Sequence, residues 1–213
     1  MKWSANLAYA VGMITTDGNL SSDKRHISIT STDKELLQTI KWCLNKFNPV
    51  SLNPPSSIGK KIAYRLQFSD VKLYRWLEKI GLHPNKSLTI GPLKINRKYF
   101  RDFLRGHLDG DGSIVHYLDK YLTPLNPKYI YNRLFVYFIS GSKPHIEWLR
   151  NEIVKAKKIH GSFNPRKNKS DYPTYVLKFS TKEAKVLLNW IYYKPALPCL
   201  NRKFRIAEPF LLK

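Results

Sequence analysis

Alternating apolar and polar residues mark the strands of this chain. In the segment from His26 to Thr30, Ile27 and Ile29 alternate with polar neighbours, and residues 61–68 alternate in the same way. Because successive side chains of a strand point to opposite faces, this pattern predicts a sheet that packs on helices with one face and leaves the other open to solvent.

The second half of the chain repeats the alternation, but the face predicted to be open is less polar. The same register assigns these residues to it: Arg133, Phe135 and Tyr137 from one strand, and Thr174, Val176 and Lys178 from another. We therefore expect two sheets of similar architecture and different surface chemistry.

The order of elements is also repeated. An apolar stretch ends in a small-residue acidic turn at residues 10–18 (AVGMITTDG) and again at residues 104–112 (LRGHLDGDG), so Asp17 and Asp111 are equivalent. Each turn precedes strands, a helix, further strands and a final helix. The repeat predicts an α+β fold of two pseudo-symmetric units, residues 1–90 and 99–213, joined by a linker at residues 91–98.

Charge narrows the choice of partner. The 213 residues include 37 Lys and Arg against 15 Asp and Glu, a net charge of +22. Both halves carry the excess, with 16 basic and 6 acidic residues up to residue 98, and 21 and 9 after it. Hydrophobic residues make up 43% and aromatic residues 13% of the chain, which excludes a disordered basic tail. A folded protein that binds a polyanion is expected.

Several other classes of protein do not fit. Cys43 and Cys199 form no C-x-x-C pair, so neither a thiolate zinc site nor a disulfide framework is predicted. No apolar run is long enough to cross a membrane, and Asp17 stands where a signal peptide would have its cleavage region. We expect an intracellular protein, in an organelle or in a bacterial or archaeal cytoplasm, without a membrane partner.

The two acidic turns need a chemical explanation. Gly18 and Gly112 are predicted to end their helices in the left-handed conformation, which glycine adopts at little cost. An aspartate at a helix C-terminus is disfavoured by about 0.3–1 kcal/mol, because that end carries a partial negative charge. If Asp17 and Asp111 lie side by side, a hard divalent cation with oxygen ligands is the natural neutraliser.

Small residues indicate how the two helices could meet. Gly12 and Gly106 each lie five residues before the aspartate, inside a helix where glycine costs about 1 kcal/mol relative to alanine. A close crossing of the two helices, with Ala8 and Gly12 facing Gly106, would explain both glycines and bring Asp17 beside Asp111.

The two nonapeptides resemble the LAGLIDADG motif, and the chain resembles a monomeric LAGLIDADG homing endonuclease with two motif copies. The resemblance implies an αββαββα unit in each half, with the motif helices packed at a pseudo-twofold interface. It also implies two saddle-shaped antiparallel sheets that lie in the DNA major groove.

The resemblance also implies a catalytic centre. Asp17 and Asp111 would bind two or three Mg²⁺ ions, with Mn²⁺ as a substitute, and the backbone at Thr16 and Gly110 could contribute ligands. Lys86 and Lys203 correspond by position to basic residues that line the metal pocket, where a lysine could stabilise developing charge or lower the pKa of the attacking water.

The two motif copies differ at two positions. The sixth position is Thr15 in the first copy and Asp109 in the second, and the fourth is Met13 and His107. His107 precedes Asp111 by four residues, on the same helix face, which would suit a metal. Because the first copy offers only Met13, we favour a histidine packed between helices.

The resulting hypothesis is a site-specific endonuclease that cuts both strands of a long asymmetric duplex DNA. Two copies in one chain imply a monomer with no obligate protein partner. An intron RNA-splicing maturase that binds RNA, and a non-catalytic DNA-binding regulator, remain as alternatives.

Residues on or beside the open sheet faces are the candidate DNA contacts. Arg65, Gln67, Arg133 and Lys178 are the candidates for reading bases, because arginine, glutamine and lysine pair with base edges in the major groove. Lys24, Lys60, Lys120, Lys167 and Lys169 are the candidates for phosphate contacts. The remaining candidate contacts are Asn19, Ser21, His26, Ser28, Lys61, Ser113, Tyr137 and Thr174.

Overall fold

The computed structural model describes residues 1–53, 62–122, 124–166 and 173–212. In the first half these form α1 (Ala5–Thr16), β1 (Gly18–Leu20), β2 (His26–Ser31), α2 (Lys34–Cys43), β3 (Val50–Asn53), β4 (Ala63–Ser69) and α3 (Val71–Ile80). The order is αββαββα, as the resemblance implies.

The second half has the same order with one more helix. It contains α4 (Phe100–Asp109), β5 (Ser113–Asp119), β6 (Tyr131–Ser140), α5 (Lys143–Lys157), β7 (Ser162–Arg166), β8 (Thr174–Ser180), α6 (Thr181–Ile191) and α7 (Asn201–Ala207). Short 3₁₀ helices follow α3, precede α4 and follow α7, at Lys86–Leu88, Arg97–Tyr99 and Glu208–Phe210.

Within the described residues, the strands form two four-stranded antiparallel sheets of the same topology. The orders are β1-β2-β4-β3 and β5-β6-β8-β7. One face of each sheet is buried, through Ile27, Ile29 and Leu66 in the first and Val136 and Phe138 in the second. The predicted α+β fold of two pseudo-symmetric units is confirmed.

Local signals explain where several helices begin. Asp33 and Asp70 precede α2 and α3, and their carboxylates accept hydrogen bonds from the amides of Leu36 and Leu73 at 3.2 and 2.8 Å. Such bonds satisfy backbone donors that have no partner inside the helix. At the other end of α3, Gly81 adopts a left-handed conformation with φ of 110° and ends the helix.

The prediction that Gly18 and Gly112 are left-handed caps is wrong. Asp17 follows α1 and Gly110 follows α4, both with negative φ, and the described glycines with positive φ are Gly81 and Gly161. Crowding explains the motif glycines, because a Cβ on Gly18 would lie 2.6 Å from the Ile14 carbonyl oxygen and one on Gly112 would lie 2.7 Å from that of Leu108. The strand turns back over the helix end, and only glycine fits there.

The core extends through both halves. Cys43 and Cys199 are free, partly buried and packed against it. Among the described residues, no helix has the length and the apolar character needed to span a membrane.

Candidate active site and nucleic-acid interface

Helices α1 and α4 cross with their backbones in direct contact. A Cβ on Gly12 would clash with the carbonyl oxygen of Phe103 and lie 2.7 Å from the amide nitrogen of His107. A Cβ on Gly106 would clash with the carbonyl oxygen of Tyr9 and lie 3.2 Å from the Cα of Gly12. Both predicted interface glycines therefore lie in this junction of the two halves. Ala8, on the same helix as Gly12, is fully buried.

The crossing brings the two acidic turns together. Asp17 ends α1, where its amide donates to the Met13 carbonyl at 2.9 Å. The space beside Gly110, at the end of α4, is filled by Thr16 and by the Asp17 carboxylate, whose Oδ2 would lie 3.2 Å from a Cβ at Gly110. The carboxylate of the first motif thus faces the end of the second motif helix.

The pKa values of the two aspartates indicate that their carboxylates interact and that nearby positive charge does not fully offset their negative charge. Burial, followed by the charge of Asp111, raises the pKa of Asp17 to about 6, although Lys203 and Lys86 lower it. Burial also raises the pKa of Asp111, again against the effect of the two lysines. The Asp111 residue is solvent-exposed overall. We therefore ascribe its raised pKa to a carboxylate that protein atoms cover on one side only. Added positive charge would be bound favourably here.

Each half places a buried lysine beneath its motif helix. The Lys86 ammonium donates to the carbonyl of Gly18, and the Lys203 ammonium donates to that of Gly112 at 2.6 Å, the equivalent position. Lys203 also reaches the carbonyls of Leu108 and Asp109, each at 2.7 Å, and that of Gly110 at 3.1 Å. These contacts supply positive charge at a helix end that carries partial negative charge.

Both lysines stay mainly protonated at pH 7, with pKa values below that of an exposed lysine. Burial lowers the pKa of Lys86 and that of Lys203 to about 8 in each case, while the nearby aspartates raise it. Each ammonium is therefore easier to deprotonate than an exposed lysine.

The sixth motif position differs between the halves in structure as well as in sequence. Asp109 is fully buried, and its Oδ2 accepts bonds from the Tyr9 hydroxyl at 2.9 Å and the Leu200 amide at 2.8 Å. Thr15 instead turns its hydroxyl onto its own helix, donating to the Val11 carbonyl at 2.7 Å. Asp109 therefore connects the two halves, a role that the sequence did not indicate.

His107 packs between elements, as we favoured. It is 1% exposed, and its Nε2 lies 3.1 Å from Nε2 of His145, whose Nδ1 lies 3.0 Å from the Gly91 carbonyl oxygen. Since that carbonyl can only accept, neutral His145 carries its proton on Nδ1, and we assign the proton between the rings to His107. Burial lowers the pKa of both, to about 4 for His145. The pair lines a cavity of about 80 Å³ that Asp111 also borders.

The protein supplies only part of a metal's coordination shell. In the described ranges, no group of three or more His, Cys, Asp or Glu side chains could hold a metal ion. The carbonyl of Gly110, a predicted backbone ligand, accepts a bond from Lys203, whereas that of Thr16 has no such bond to either lysine. A cation here would rely on the two aspartates together with water or an oxygen-rich substrate.

Most candidate contacts of the first half lie on one open sheet face. Strand pairing aligns Asn19, Ser28 and Gln67 across it, and Arg65 beside them reaches the Ser28 hydroxyl at 3.4 Å. His26 lies on the same face and pairs with Asp23, which holds the pKa of that carboxyl well below its usual range. Ser21 lies just beyond β1, and its carbonyl accepts from the Tyr74 hydroxyl at 2.6 Å.

The second sheet presents its candidates among aromatic rings. Ser113, Tyr137 and Lys178 are aligned across it, and the Lys178 ammonium lies 4.0 Å from the centre of the Phe135 ring. Arg133 donates to Asp119 at 3.0 Å, so its guanidinium is already engaged by an acid. Thr174 lies at the start of β8, opposite Arg166.

The phosphate candidates Lys24 and Lys120 lie on the described surface and are exposed. Lys60, Lys61, Lys167 and Lys169 lie outside the described residues.

One family model matches the first part of the chain. Residues 4–81 match the model of the LAGLIDADG-like domain. No curated protein sequence matches the chain.

Solved structures share the fold across nearly the whole chain. The homing endonuclease I-WcaI bound to its DNA recognition sequence is 15% identical with a TM-score of 0.64, over 96% of this chain and 88% of that chain. A variant of the homing endonuclease I-DmoI, in complex with its target DNA and in the presence of manganese, is 15% identical with a TM-score of 0.56, over 91% and 96%.

Full-length DUF199/WhiA from Thermatoga maritima is also similar, at 15% identity and a TM-score of 0.57. It covers 100% of this chain, which spans 63% of the WhiA chain. At these identities the likeness establishes the fold.

Proposed function

We propose that this chain, which carries a LAGLIDADG-like domain in residues 4–81, is a site-specific endonuclease that hydrolyses both strands of a long asymmetric duplex DNA. One observation carries the proposal: two carboxylates of like charge meet at the crossing of α1 and α4, each with a buried lysine at its own helix end. A sheet with an open face extends from each of these ends.

The donor set fits a hard divalent cation. Asp17 and Asp111 offer oxygen ligands, and their raised pKa values mark negative charge that the two lysines do not fully offset. Bound Mg²⁺, with Mn²⁺ as a substitute, would supply Lewis-acid activation of the phosphate and of a water. Phosphate oxygens of the DNA would complete the coordination that the described side chains leave open.

We assign a different role in the reaction to the aspartates, the lysines and the sheet faces. Asp17 and Asp111 would hold the cations at the junction, one carboxylate for each strand to be cut. The ammonium groups of Lys86 and Lys203 place positive charge beside the reacting phosphates and stabilise the charge that develops at phosphorus. The open sheet faces bind and orient the duplex, because basic and polar side chains there can reach base edges and phosphates.

The test is cleavage of a randomised duplex DNA library by the wild-type protein, Asp17→Asn and Asp111→Asn, with Mg²⁺ and with EDTA. We expect metal-dependent cuts in both strands of one long asymmetric site, reduced at least about a thousandfold in either variant, while DNA binding is retained. Asp33→Asn is the matched control, because asparagine also caps a helix well and Asp33 belongs to neither motif copy.

Full cleavage by Asp111→Asn would refute the assignment of the site. Tight binding of DNA or of intron RNA without cuts under any metal would instead favour the non-catalytic regulator or the maturase.

A further inference from the structure

The two open sheet faces can be compared row by row, because strand pairing fixes which residues lie side by side. Asn19 and Ser113 each follow the glycine that ends a motif, so the rows that contain them occupy equivalent places in the two halves. A row that lies two residues along the strands from one of these rows corresponds to the row at the same distance in the other sheet.

Every matched row is polar in the first sheet. The central row is Asn19, Ser28 and Gln67, and the next row toward the far end of β2 is Thr30, Arg65 and Ser51. On the other side His26 pairs with Ser69. This face offers hydrogen-bond donors and acceptors and almost no apolar surface.

The matched rows of the second sheet contain apolar residues where those of the first contain none, together with polar residues that include Ser162 and Asn164 on β7 and Ser180 on β8. Tyr137 lies in the central row between Ser113 and Lys178, and Ile139 and Val176 are paired in the next row. On the other side Val115 pairs with Phe135. Where the first sheet has Thr30 and Arg65, the second therefore has Ile139 and Val176.

This apolar surface is accessible and concave. Val115 is 38% exposed, and with Tyr137, Ile139 and Val176 it lines a cavity of about 500 Å³, to which Ser113 and Asn164 add polar groups. Arg166 is exposed at the edge of this cavity, and the Lys178 ammonium lies over the Phe135 ring beside it. Two basic side chains thus border the apolar residues. This arrangement matches duplex DNA, in which phosphates flank a groove that displays apolar groups on the bases.

We infer that the second sheet reads its half of the DNA target through thymine methyl groups, whereas the first sheet reads its half through hydrogen bonds. The inference rests on the proposed endonuclease function. The thymine C5 methyl is the one apolar group that the major groove displays, and aliphatic side chains distinguish it from the other base edges. Ile139, Val176 and Val115 are the residues that make this contact.

Removal of single methyl groups tests the inference. In the target selected from the library, each thymidine is replaced in turn by deoxyuridine, which lacks only the C5 methyl, and the Kd is measured by fluorescence anisotropy in EDTA. We expect binding to weaken about fourfold at one or more thymines of one half-site, as loss of one buried methyl implies. Thymines of the other half-site should change the Kd less than twofold.

Protein variants identify the sheet responsible. Val176→Ser and Ile139→Ser remove all the methyl groups of these side chains, and because both lie on an open face, thermal unfolding should stay close to that of the wild type. In these variants the sensitive thymines should lose their dependence on the methyl. Gln67→Ala, on the first sheet, is the matched control and should keep it.

The inference is overturned if no deoxyuridine substitution changes the Kd, or if the methyl dependence persists in both serine variants. It is also overturned if Gln67→Ala alone removes that dependence. These results differ from failure of the proposed function, in which no duplex site is selected or bound.

Discussion

The C-terminal ends of α1 and α4 are equivalent in sequence and topology but are held very differently. Beneath α1, the ammonium of Lys86 bonds to a single carbonyl, that of Gly18. Beneath α4, the Lys203 ammonium shares its three N–H donors among four carbonyls, from Leu108, Asp109, Gly110 and Gly112. The α4 end is the more strongly fixed of the two.

The sixth motif position extends this difference. Asp109 connects the end of α4 to Tyr9 in the first half and to Leu200 near the end of the second, whereas Thr15 bonds only within α1. A pseudo-symmetric pair can therefore share one backbone crossing and still differ in the polar contacts that fix each side. The backbones of α1 and α4 are related by the pseudo-symmetry, whereas the side-chain contacts at their ends are not.

The largest expected effect concerns the shared crossing. Gly12→Ala and Gly106→Ala should each cost more than about 4 kcal/mol in unfolding free energy, because the new Cβ meets backbone atoms that cannot move aside. Chemical denaturation should give similar losses for both, as the crossing is symmetric. Gly91→Ala is the matched control, since its Cβ would meet no atom within 4 Å. A loss in one variant alone would contradict a symmetric crossing.

Exchange of the sixth-position residues should have the next largest effect. Thr15→Asp should lower the unfolding free energy by about 3–4 kcal/mol at pH 7, since it buries a carboxylate at a position whose native side chain bonds only within α1. Asp109→Thr should cost less than about 2 kcal/mol, because it loses the bonds to Tyr9 and Leu200 but also removes a carboxylate whose pKa is raised by burial to about 6. Unfolding in urea measures both. Equal costs would mean that the two helix ends have equivalent surroundings.

The lysines should show a smaller difference. Burial lowers the pKa of both side chains to about 8, so methionine at either position relieves a similar desolvation cost. Lys203→Met additionally leaves more helix carbonyls without a donor, and should be less stable than Lys86→Met by about 1–2 kcal/mol. Thermal unfolding at pH 7 compares them, and the reverse order would contradict the different roles of the two lysines.

The smallest expected effect is a gain of stability. The pKa of Asp17 rises from 3.8 to about 6 on folding, so the folded state binds the proton more tightly and ionisation destabilises it. Without metal, Asp17→Asn should therefore be more stable than the wild type by about 1–2 kcal/mol above pH 6. The gain should fade between pH 6 and pH 4 and vanish below pH 3.8.

Asp111→Asn should behave in the same direction, since its pKa is also raised. Unfolding measured across this pH range, without metal, tests both variants. A gain that persisted at pH 3 would show that the cause is not the carboxylate charge. Added Mg²⁺ should stabilise the wild type and have less effect on either variant.

The sequence carried much of this structure. Alternation and the repeated element order predicted both sheets. Gly12 and Gly106 predicted the helix crossing, because glycine destabilises a helix and a close tertiary contact is the usual explanation for it. The reason assigned to Gly18 was wrong, since its role depends on a strand that folds back over Ile14, a tertiary contact.

Other features depend on partners distant in the sequence. No local pattern relates Lys203 to the α4 carbonyls, and the bond from Arg133 to Asp119 becomes visible only once β5 and β6 are paired. The matched rows of the open faces likewise require the strand register. These residues were recognisable as basic or aromatic, but their neighbours were not.

The lysine contacts also bear on the timing of synthesis. Lys86 follows the carbonyl it holds by 68 residues, and Lys203 follows that of Asp109 by 94. As a ribosome makes the chain from its first residue, the support for α1 emerges long before the support for α4. A nascent chain that has not reached residue 203 exposes both acidic turns with only one of them braced. The two helix ends are therefore both supported only after residue 203 has been made.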